Sequence, residues 1–135
     1  MIYNHMSLTY FEQQVMGKIL AGNNPALIIL REQLKLCRIE VREFTGVGFY
    51  VEFTLPKNVP CVRGCPSFEI NDVIGDISGI SNGVGFVLYV RDGRLNVLEG
   101  FTYDEVWPEQ ISNFHLNYSK EVRDIDGFQT NNAAE

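Results

Sequence analysis

The 135-residue chain is 45% hydrophobic and 21% charged, an ordinary globular balance, and is long enough to bury one core without disulfide staples. Its net charge of -6 and pI near 4.9 argue against a duplex-DNA or RNA binder, which needs Lys and Arg to neutralise phosphates. No stretch approaches the roughly 20 apolar residues of a membrane helix.

The start, MIYNHMSLTYFEQQ, lacks a basic region leading into an uninterrupted apolar core, so no signal peptide and a cytoplasmic location are expected. Thr9 and Glu12 then form a capping-box pattern, followed by Phe11, Val15 and Ile19 at four-residue intervals. Gly22 ends that helix. Asn24 and Pro25 begin another as N-cap and first helical residue, which predicts an αα-hairpin with helices near 9–21 and 25–38. On the second helix either Leu27, Leu30, Leu34 and Cys37 or Ile28 and Ile29 face inward, with Arg31 and Glu32 outside.

The period then changes to two. Val47, Phe49, Val51, Phe53 and Leu55 alternate with Gly48, Tyr50, Glu52 and Thr54, which predicts a half-buried strand stopped by Pro56. Val41 to Phe44 is either its first part or a partner strand, with a bulge at Thr45-Gly46 as one option. Residues 56–67, PKNVPCVRGCPS, read as a loop because proline restricts φ and lacks an amide donor. Phe68 to Ile80 is interrupted at Asn71-Asp72 and Gly75 and reads as two short pieces.

The clearest hairpin follows. Val84, Phe86, Leu88 and Val90 alternate against Gly85, Val87, Tyr89 and Arg91, and Asp92-Gly93 supplies a primed turn. The return strand places Leu95, Val97, Glu99, Phe101 and Tyr103 on one side, where Glu99 is out of character unless Gly100 marks a bulge. Ile111 to Tyr118 forms one last strand. The expected organisation is a single domain over 1–122 with a polar, flexible tail over 123–135.

GVGF occurs twice, from Gly46 and from Gly83. A dinucleotide loop needs a helix after its glycines, so that free amides face the anion. Both copies lead instead into period-two strands, which points to close strand approach and core phenylalanines. Cys61 and Cys65 lack a second ligand pair for zinc and are not spaced as a CxxC redox centre. Loop cysteines without a role are preferred, with a structural metal involving Cys37 or His115, or a disulfide, as alternatives. No metal or cofactor is expected. His115 alternates with Phe114 and Leu116, and no nucleophile is spaced to partner it.

Glu99 to Pro108, EGFTYDEVWP, joins three carboxylates to Phe101, Tyr103 and Trp107. Tyr and Trp are favoured interface anchors, and neighbouring carboxylates attract a basic partner. Tyr103, Asp104, Glu105 and Trp107 are therefore candidate binding residues. Tyr50 and Tyr89 join them if their strands bring them to one surface. The competing readings are a small hydrolase using Glu99 in a sheet-lined cleft, or a homodimer with Trp107 across its two-fold.

The segments Glu43-Phe-Thr-Gly-Val-Gly-Phe49, Gly83-Val-Gly-Phe86 and Leu98-Glu-Gly-Phe-Thr-Tyr-Asp-Glu-Val-Trp-Pro108 resemble a family of small uncharacterised bacterial α+β proteins, over roughly residues 10–118. The resemblance carries over no catalytic residues; a link to immunity proteins is analogy of size and charge. The expected fold is a two-layer α+β domain, with an N-terminal helix hairpin against a bent, mainly antiparallel sheet of five or six strands. The expected role is non-catalytic protein binding, immunity-like, with a basic protein partner.

Overall fold

The computed structural model describes residues 7–124; the first six residues of the start segment, and the tail beyond Asp124, lie outside the described residues. Helix α1 spans Tyr10–Ile19 and opens with the reciprocal cap its sequence encodes. The Thr9 hydroxyl accepts from the Glu12 amide at 3.1 Å, and the Glu12 carboxylate accepts from the Thr9 amide at 3.0 Å. Helix α2 spans Pro25–Leu36, and the Asn24 side chain accepts from the Ala26 amide at 2.8 Å. Arg31 of α2 donates to the Leu20 and Gly22 carbonyls, satisfying groups that the end of α1 leaves without helical partners.

Seven strands follow: β1 Arg38–Phe44, β2 Gly48–Thr54, β3 Phe68–Ile70, β4 Val73–Ile77, β5 Val84–Arg91, β6 Arg94–Thr102 and β7 Phe114–Tyr118. They form one sheet in the order β1-β2-β6-β5-β4-β7, and β3 also pairs with β5. Every pairing is antiparallel. The α+β architecture with N-terminal helices is as expected, and the strand count exceeds five or six because residues 38–44 form a separate strand. Thr45 to Val47 turn the chain between β1 and β2, with Gly46 at φ +93°, and the bulge sits at Glu40 instead.

Helices cover one face of the sheet only. Phe49, Val51, Phe86, Leu88 and Leu98 point into that layer and meet Phe11, Val15, Met16, Leu27 and Leu30 in one buried cluster. Both GVGF phenylalanines end there, and each lies against Phe11, at 6.5 Å for Phe49 and 5.8 Å for Phe86. The first glycine of each copy turns with positive φ. The second gives room. A Cβ on Gly48 would stand 2.1 Å from the Gly100 carbonyl oxygen, and one on Gly85 would stand 2.6 Å from the Phe101 ring.

Polar groups lock the layers together. Glu12, buried, accepts a two-pronged ion pair from Arg42 of β1 at 2.6 and 2.8 Å. Gln33 is fully buried on α2, a position the apolar periodicity passes over. Its amide donates to the Pro60 and Gly93 carbonyls and its oxygen accepts from the Leu95 amide, all at 2.9 Å. This one side chain joins helix, loop and hairpin. At the other end Arg123, placed by sequence in the flexible tail, forks onto Asp72 and donates to the Ile19 and Ala21 carbonyls.

Candidate functional site

The face opposite the helices has no layer of described residues over it, and the strand registers define what it carries. Cross-strand partners share a face. One row runs Glu43, Tyr50, Glu99, Val87 across β1, β2, β6 and β5. The next runs Val41, Glu52, Val97, Tyr89, Glu69, ending on β3. A third runs Gly48, Phe101, Gly85, Ile74, Asn117. The centre is thus aromatic and aliphatic, with carboxylates among and around it. Arg38 and Arg91 lie at one end, paired with Thr54 and Arg94 respectively.

Tyr50 and Tyr89 do come to one surface, separated by β6 rather than adjacent. Glu99 stands between them. The Tyr89 hydroxyl donates to Glu99 Oε1 at 2.8 Å. Burial, that hydrogen bond and the charges of Glu99 and Glu69 push the Tyr89 hydroxyl pKa up to about 12. The negative charge of Glu99, followed by burial, raises that of Tyr50. Both hydroxyls stay protonated at neutral pH, so they donate hydrogen bonds and do not serve as bases.

Glu99 belongs to this face by virtue of a bulge in β6. Tyr89 pairs with Val97 while Val90 pairs with Leu95, leaving Asn96 as the extra residue. Leu95 turns into the core, whereas Val97, Glu99 and Phe101 face outward. The expected bulge at Gly100 is therefore at Asn96. Gly100 instead accommodates Phe49, whose ring lies 2.3 Å from where a Cβ would stand. Glu99 lies on an open sheet face rather than in a sheet-lined cleft.

The EGFTYDEVWP segment divides into structural and exposed residues. Trp107, a candidate surface residue by sequence, is only 7% exposed. Its amide donates to the Gly46 carbonyl at 2.8 Å, which draws the indole under the β1–β2 turn. There it packs on Phe49 and Phe11 at 5.2 and 6.2 Å. A homodimer anchored by Trp107 loses its anchor. Glu105 is also a structural clamp: its two oxygens accept from the Ser81 and Asn82 amides at 2.9 and 2.8 Å, holding the loop before β5. Tyr103 and Asp104 are exposed. The Tyr103 ring meets Phe101 edge-on at 5.6 Å, extending the apolar centre of the outer face.

Other chemistry-bearing groups are accounted for. Cys61 and Cys65 form a disulfide, the alternative that sequence placed behind loop cysteines without a role. Cys37 lines a groove of about 520 Å³ with Leu8, Leu34 and Ile39, and burial pushes its thiol pKa up, away from the reactive thiolate. His115 is exposed on the outer side of β7. Among the described residues, no three His, Cys, Asp or Glu side chains are placed to hold a metal ion, and no helix is long and apolar enough to cross a membrane.

Val97 and Phe101 are the members of this face that sequence assigned to the core side of β6. The signal for the bulge, a polar Asn96 between Leu95 and Val97, is too weak to fix a register. No family model, curated protein or solved structure matches the chain.

Proposed function

We propose that this is a non-catalytic protein-binding protein, immunity-like in mode, whose outer sheet face receives a basic partner. One observation carries the reading: the sheet has helices on one side only, and its other side keeps Val97, Phe101 and Tyr89 half-buried among carboxylates. Tyr50, Ile74 and Tyr103 add exposed apolar area, at 36%, 38% and 50%. An apolar centre with an acidic surround suits a partner of opposite charge, because the apolar part supplies affinity while the charges steer encounter and reject acidic competitors.

The location bears on the partner. Disulfides persist in oxidising compartments, so the Cys61–Cys65 bond weighs against the expected cytoplasmic location.

Capture from native extract tests the reading, using wild-type protein beside Val97→Lys and Glu52→Lys. Val97 is central and half-buried, and Glu52 is exposed in the same row. The expected result is a basic protein retained by wild type and lost by both variants, whose thermal melts stay close to wild type. Retention by both variants, or no protein whose capture depends on this face, would overturn it.

A further inference from the structure

Across the middle of the outer face acids and tyrosines alternate. Glu43 on β1 stands opposite Tyr50 on β2, and Tyr50 opposite Glu99 on β6. Tyr89 on β5 reaches back to Glu99 through its hydroxyl and stands opposite Glu69 on β3. Each tyrosine is therefore bracketed by two carboxylates, and Glu99 is common to both brackets. The electrostatics report the same neighbours: Glu99 and Glu43 raise the Tyr50 pKa, and Glu99 and Glu69 contribute to raising that of Tyr89.

We propose that this stripe is a double seat for two arginine side chains of the partner, one over Tyr50 and one over Tyr89. The assignment rests on the protein-binding reading above and names the chemistry it selects. A guanidinium is planar, stacks on an aromatic face and forks onto carboxylates; an ammonium is a compact, strongly hydrated point charge. An alternation of ring and carboxylate suits the first. Strands lie about 4.8 Å apart, and Tyr89 stands two strand spacings across from Tyr50 and one row, about 6.7 Å, along the strands, so the seats are roughly 12 Å apart. Residues i and i+7 on one helix face stand about 10.5 Å apart, and the long arginine side chains reach across the difference. The arginines at the end of the face, Arg38 and Arg91, disfavour a cation there and leave the stripe as the attractive region.

The test titrates full-length labelled protein with an alanine-rich helical peptide carrying two arginines seven residues apart. Two control peptides carry lysines at those positions, or arginines two residues apart. The seven-spaced arginine peptide is expected to shift the amides of Tyr50, Tyr89 and Glu99 and to bind at least about fivefold tighter than either control. Glu99→Gln and Tyr50→Leu are each expected to weaken it about fivefold or more. Equal affinity for the three peptides, or affinity unchanged in both variants, would overturn the double seat. The broader reading is judged separately: capture that still depends on Val97 but is indifferent to Glu99→Gln keeps the face and removes the seat.

Discussion

At the scale of single residues, the outer face is governed by one carboxylate. Glu99 accepts from Tyr89 and contributes to raising the hydroxyl pKa of both flanking tyrosines. The consequence for stability has a definite sign. Tyr89 has its folded-state pKa raised from 10.0 to about 12, so its contribution to stability is complete below pH 10. It is lost as pH rises through about 12, because the unfolded chain ionises first. Absorbance titration of tyrosinate should show Tyr50 and Tyr89 ionising above the ordinary tyrosine value. In Glu99→Gln both should titrate at lower pH, and the alkaline fall in stability attributable to them should shrink. Unchanged titration in that variant would mean that Glu99 does not control the pair.

At the scale of elements, the β5–β6 hairpin is fixed from outside as well as by its turn. Asp92 and Gly93 both have positive φ, at 53° and 73°, the backbone that a two-residue primed turn requires. Gly93 also exchanges hydrogen bonds with the disulfide loop, its amide donating to Pro66 and its carbonyl accepting from Val62. A Cβ there would stand 2.9 Å from Cys61 Cβ, Cys65 Cα and the Val62 amide. Gly93→Ala should therefore cost at least about 2 kcal/mol in denaturant unfolding, combining positive-φ strain with displacement of the loop. A cost below about 0.5 kcal/mol would show that the loop yields freely. The turn was legible in sequence because Asp-Gly between alternating apolar runs has a local cause. The loop's grip was not, since Gln33 contacts residues 27 and 60 or more positions away. Capping signals at Thr9, Glu12, Asn24 and Pro25 were legible for the same local reason. The face of Val97 and Glu99 was not, because one extra residue in β6 reverses every side chain beyond it.

At the scale of the whole molecule, the two faces of the sheet respond to different forces. The covered face is held by burial and by well-packed pairs such as Glu12–Arg42, which salt screens weakly. The open face gathers Glu43, Glu52, Glu69 and Glu99 in two adjacent rows on a chain of net charge -6, so its charges repel one another. Sequence showed the acidity but could not place it, because these residues meet only through the strand order β1-β2-β6-β5 and the attachment of β3. Salt should consequently act in opposite directions on folding and on binding. Raising ionic strength from about 10 to 150 mM shortens the screening length from roughly 30 to 8 Å. Relief of repulsion worth about 0.5 kcal/mol should then raise Tm by roughly 2 °C. Over the same range, retention of the basic partner should weaken, chiefly through slower association. Calorimetry of the free protein and salt-stepped capture measure the two trends. A Tm that falls with salt, or capture indifferent to it, would show that the carboxylates of the open face are not acting as a field.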